Sequence, residues 1–152
     1  MSDLLDVTKS FPWGLHDSVL VAVQVDYARN HAAIHVLLMM DERQTRAKLA
    51  CIDVHRLLYF VAEPPSSPQS FVIDPESNGV TIDVGRVQDL AELPAHLPNT
   101  PHNYWSNWIF VNDYNAFIYL CAQDASFRWV EENEREVDGK VLFAGDSIPD
   151  PK

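Results

Sequence analysis

The residues most able to do chemistry are the six histidines, two cysteines and paired carboxylates, and their spacing is the first question. His16-Asp17 sets an imidazole beside a carboxylate, which could form half of a metal or acid–base site. At a strand entrance, however, Asp17 and Ser18 would satisfy exposed backbone groups while His16 packs at the edge, and this structural reading is preferred. His31 and His35 are four apart, a zinc-pair spacing on a helix. On a strand the same spacing holds them about 13 Å apart at about 3.3 Å per residue, too far to chelate together. His55, His96 and His102 are scattered, and no His-Glu-x-x-His, Cys-x-x-Cys or His-x-His occurs. Cys51 and Cys121 sit in apolar runs without an adjacent base, where a thiol is inert. Of the five glycines none forms a phosphate-cradling pattern, and a Gly-x-Ser-x-Gly elbow is missing too. Asp74 and Asp83 can be paired across a hairpin, but such a pair reads as a solvated face. These patterns predict no catalytic set, no metal and no cofactor.

What remains is recognition. Tyr104, Trp105, Trp108 and Tyr114, followed by Trp129, form an aromatic block. Aromatics of this kind anchor interfaces or line pockets, although they can equally close a core. The acidic run Glu131, Glu132, Glu134, Glu136 and Asp138 follows directly. The candidate binding residues are therefore Tyr104, Trp105, Trp108 and Tyr114 with the acidic run, and His16 and Asp17 at the mouth of any aromatic pocket.

The elements that must position these groups read as strands. The stretch from Trp13 to Asp41 predicts a founding β-hairpin. Val19, Val21, Val23, Val25 and Tyr27 alternate on one face, with Gln24 and Asp26 on the other, as a half-buried strand requires. Ala28-Arg29-Asn30 supplies the turn. The return run His31–Met40 is apolar on both faces, the signature of a central strand. Thr45–Ile52 alternates as a third strand with one wet face, and Asp53–Ala62 reads either as a bent continuation or as a short helix. Ser70–Asp74 and Val80–Val84 predict a second hairpin around Asn78-Gly79. Val87–Leu93 could form two turns of helix, stopped by Pro94. The aromatic block, Ala116–Ala122 and Ser126–Glu131 supply the last strands. Residues 63–69, with three prolines and two serines, and 94–103 predict surface loops, and 145–152 a loose tail. The expectation is a single domain over 1–152 that is mostly β (α+β at most): an antiparallel β-sandwich or strongly curved sheet with one or two short helices.

Charge narrows the partners. Eleven basic against 22 acidic residues give a net charge of −11, which argues against nucleic acid and anionic membrane surfaces. It suits either simple solubility or a basic protein partner steered electrostatically. No run approaches the roughly 20 apolar residues that span a bilayer. The acidic N-terminus is unlike a signal peptide, so the expected location is cytoplasmic. Two cysteines in apolar runs agree with a reducing compartment.

Leu15-His16-Asp17-Ser18-Val19-Leu20, entering an alternating β run, resembles the start of several families of small bacterial β-rich proteins, some of them immunity proteins of toxin systems. The resemblance covers the first hairpin. It implies a bacterial cytoplasmic β-domain and makes toxin neutralisation a candidate role, without naming catalytic residues. The combined expectation is a non-enzymatic protein-binding domain, an immunity-like inhibitor of a basic partner. The alternatives are a small-ligand-binding domain or enzyme with an aromatic pocket, and the structural subunit of a homo-oligomer.

Overall fold

The computed structural model describes residues 1–16, 18–43, 45–63, 80–88, 93–112 and 116–136. Among these residues a short helix, α1 (Leu4–Thr8), precedes nine strands: β1 (Ser18–Asp26), β2 (His31–Met39), β3 (Arg46–His55), β4 (Tyr59–Ala62), β5 (Val80–Arg86), β6 (Trp105–Val111), β7 (Ala116–Ala122), β8 (Asp124–Trp129) and β9 (Arg135–Glu136). All pair antiparallel in one open sheet of order β4-β7-β6-β5-β1-β2-β3-β8, with β9 added to the start of β3. β2 lies between β1 and β3, the place its two apolar faces demand.

The two ends of this path are joined by bends. β4 continues β3 after a break at Arg56–Leu58, and β8 continues β7 after Gln123. His55 opposes Asp124 and Tyr59 opposes Cys121, so two bent ribbons stay paired along both halves. The sheet is strongly curved, and its inner face gathers one core: Leu20, Ile34, Val36, Leu38, Ile52, Val54, Ile82, Ile109 and Leu120 are all buried there. The stretch 53–62 is thus a bent strand rather than a helix.

The first strand departs from simple alternation. Its register slips between Leu20 and Ala22, a β-bulge, and one extra residue sends later side chains to the opposite face. Val19 therefore joins Leu37, Met39 and Ala47 on the outer face, while Leu20, Val23 and Val25 face the core. Val21, expected inside, is 42% exposed, and Tyr27 is exposed in the turn. The third strand is buried on both faces over much of its length, Ala47 outside and Ala50 and Ile52 inside. Of the second hairpin only Val80–Arg86 is described; residues 70–79, most of the helix expected over 87–93, and the tail from 137 lie outside the described residues.

The N-terminal segment covers the core. Leu4, Val7, Phe11 and Leu15 are buried in it, and Phe11 packs edge-on against Phe127 with ring centroids 4.8 Å apart. Five residues cannot hold a helix by themselves, so polar anchors are needed. Asp3 and Asp6 form a capping box. Arg86 donates to Asp3 (2.6 and 3.2 Å) and to Asp6 (2.9 Å). The fully buried Asn107 accepts from the Leu4 N–H (3.0 Å) and donates to Asp3 (3.3 Å).

Candidate functional site

The outer face of β5, β6 and β7 carries the strongest binding feature. Along β6, Trp105, Ile109 and Val111 turn inward, so period-2 alternation sends Trp108 and Phe110 outward. Register completes two cross-strand rows: Gly85, Trp108 and Tyr119 in one, Asp83, Phe110 and Phe117 in the next. Trp108 meets Phe117 edge-to-face at 5.8 Å, Phe110 lies 4.9 Å from Phe117, and Phe117 stacks on Tyr119 at 5.8 Å. Phe117 remains 37% exposed. The rings border a groove of roughly 890 Å³ whose polar wall is Asp83, Arg86 and Gln88.

Glycine at position 85 is what lets the indole lie down. A side-chain carbon there would overlap the Trp108 ring, so the tryptophan rests on bare backbone and forms the groove floor. Electrostatics at the polar wall are divided. The Arg86 guanidinium is engaged by Asp3 first and Asp6 second, which raises its pKa above the ordinary arginine value. Its charge is thereby balanced by the N-terminal carboxylates. Asp83 reaches His16 Nδ1 through Oδ1 at 2.5 Å, which sets His16 at the groove rim.

The other candidates named from the sequence fall in different places. Trp105 is 8% exposed and points into the core, because it is three residues from Trp108 and so on the opposite face. Tyr104 is half-buried and packs against a cluster of Tyr59, Leu93, Tyr119 and Cys121 that Trp108 also packs against, so it lies behind the groove rather than in its lining. Glu132, Glu134 and Glu136 are exposed and Glu131 is half-buried. They follow β8 and lead into β9 beside the start of β3, with β2 and β1 between β3 and the groove strands. Glu131 pairs with Arg135 (3.5 Å) and Glu134 with Arg46 (3.9 Å). Asp17, Tyr114 and Asp138 lie outside the described residues, as does Asp74. Of the groove residues, Phe110, Phe117, Tyr119, Arg86 and Gln88 have no site role in the sequence, and Asp83 reads there only as half of a solvated carboxylate pair. Strand parity pairs Phe110 with Trp108, but the contribution of β5 needs register.

No match was found. Compared with protein-family models, curated proteins and solved structures, the chain resembles none of them at a significant level. Nor do His, Cys, Asp and Glu side chains come together in threes suited to a metal ion among the described residues. Cys51 and Cys121 are free thiols, both fully buried. Burial pushes both pKa values up, with Asp53 adding to the effect at Cys51, so neither offers a nucleophilic thiolate. Among the described residues no helix is long and apolar enough to cross a membrane.

Proposed function

We propose that the protein is a non-enzymatic protein-binding domain whose outer groove takes a lysine or arginine side chain of a basic partner. The observation that carries this reading is the meeting of Trp108, Phe110, Phe117 and Tyr119 with the Asp83 carboxylate in one groove. Aromatic faces attract cations through their quadrupole, and a carboxylate at the edge gives the charged head a partner. The net charge of −11 supports a basic occupant, since a field of one sign steers the oppositely charged partner. The exposed Glu132, Glu134 and Glu136 would act at longer range. An inhibitor that occludes a basic toxin in a bacterial cytoplasm is the specific form of this reading, and the free thiols fit a reducing compartment.

The test is affinity capture at low and high salt, repeated with Trp108→Ala. A stoichiometric basic protein released by salt, and bound at least tenfold more weakly by the variant, is the expected result; removal of a hot-spot aromatic costs about 2 kcal/mol or more. A basic partner indifferent to Trp108→Ala would refute the groove as its docking surface. The groove volume also lies in the range of about 300–1,000 Å³ typical of small-molecule sites. If no protein is retained at either salt, that second reading takes over and is pursued by thermal-shift screening.

A further inference from the structure

A second concavity, of roughly 600 Å³, opens where the β1–β2 turn meets the break between β3 and β4. Asp26, Arg29, His31, His55, Arg56 and Asp124 line it, and none of these belongs to the aromatic groove. Register builds it: His31 opposes both Asp26 and His55, and His55 opposes Asp124, so one row across four strands carries two imidazoles between two carboxylates.

Two backbone positions here are left-handed, Asn30 (φ 52°) and Arg56 (φ 54°), and the Leu57 N–H donates to the Asn30 carbonyl at 2.8 Å. Asparagine accepts this conformation readily, whereas an arginine in it is strained. The strained residue holds up a guanidinium that makes no ion pair among the described residues. The carboxylates of the row are, by contrast, already supported. Asp26 accepts from the Ala28 and Arg29 N–H groups (3.1 and 3.2 Å), and Arg29 stands 3.7 Å from its other oxygen. Asp124 accepts from the Ser2 N–H at 2.9 Å, the main reason its pKa is lowered. His31 Nε2 lies 3.2 Å from Asp53, itself paired with Arg128 at 3.4 Å, and His55 Nε2 lies 3.1 Å from Ser126. The imidazole rings are 5.5 Å apart, and the Nδ1 atom of each has no partner among the described residues.

We propose that this pocket binds a small phosphate ester bearing hydroxyl groups, the phosphate on Arg56 and the His55 imidazole, the hydroxyls donating to Asp26, Asp124 and the Nδ1 of His31, whose Nε2–H is held by Asp53. A planar guanidinium with five donors is suited to a phosphate, and an acceptor pair beside it selects a ligand that also donates. In a chain of net charge −11, two arginines and two imidazoles stand together in this pocket beside its two carboxylates.

The experiment titrates ribose 5-phosphate, ribose and inorganic phosphate into the protein and follows amide chemical shifts, with Arg56→Gly and Arg43→Ala compared. Ribose 5-phosphate is expected to saturate with shifts centred on Asn30, His31 and Leu57, inorganic phosphate to bind more weakly, and ribose not at all. Arg56→Gly removes the guanidinium and relieves the left-handed strain together. It should weaken binding at least tenfold with an unchanged or raised melting temperature, while Arg43→Ala should bind as wild type. Absence of saturation by ribose 5-phosphate at millimolar concentration, or equal binding by Arg56→Gly, would overturn the proposal. These outcomes are independent of any partner captured by the groove.

Discussion

Asp3→Ala should be among the most damaging single substitutions in the N-terminal segment, and its effect can be built from the structure. The side chain caps α1 by accepting from the Asp6 N–H at 2.9 Å; losing such a cap costs about 1 kcal/mol. It also accepts two bonds from Arg86. The arginine side chain is 45% exposed, so solvent screening holds this pair to about 1 kcal/mol. Finally, the buried Asn107 amide loses one acceptor and keeps only the Ser106 carbonyl at 3.2 Å, worth about 1 kcal/mol more. Together these amount to about 3 kcal/mol, or roughly 6–12 °C in melting temperature for a chain of this size. Asp3→Asn preserves the cap but loses the Arg86 ion pair and the acceptor for Asn107, and should cost about 2 kcal/mol. The pH dependence has a definite sign. Burial alone would raise the Asp3 pKa, but the hydrogen bonds from Arg86, the Asp6 N–H and Asn107 together outweigh it and the net shift is downward. A depressed folded-state pKa means that the stabilisation is complete above the unfolded carboxylate value, about 3.9, and is lost as pH falls through the lower folded value. Urea denaturation of wild type, Asp3→Ala, Arg86→Ala and the double variant, at pH 7 and below pH 4, tests all of this. A loss under 1 kcal/mol, strict additivity of the two variants, or a wild-type advantage unchanged in acid would refute the account.

Two further outcomes follow from the outer face and the core. Gly85→Val should destabilise by about 1–3 kcal/mol through collision with the Trp108 ring, and the penalty should shrink in the Trp108→Ala background, a double-mutant cycle readable by thermal denaturation. Cys51, fully buried and with its pKa raised by burial and Asp53, should resist a thiol-specific reagent at pH 8 in the native protein and react on addition of urea; prompt native-state labelling would contradict its burial.

What the sequence makes legible, and what it hides, divides along one physical line. Hydrophobic alternation is a property of a single strand, so β2, β3, β7 and β8 announce themselves in residues 31–55 and 116–129, and a strand apolar on both faces announces its central place. The β1 bulge is invisible, because Val19, Val21, Val23 and Val25 suit a strand on either face; only pairing with both β5 and β2 shows where the extra residue goes. The same division governs the sites. Trp105 and Trp108 sit on opposite faces by parity alone, which is readable along one strand, whereas Asp83 joins Phe110 only through the β5–β6 register. His31 and His35 look like the pair along the chain, yet His31 lies beside His55, 24 positions away and directly across the ladder. In an antiparallel sheet, side chains that act together lie in rows across strands, at separations no local motif can encode. A chain whose chemistry is arranged in such rows will defeat a search for contiguous motifs, however regular its strands.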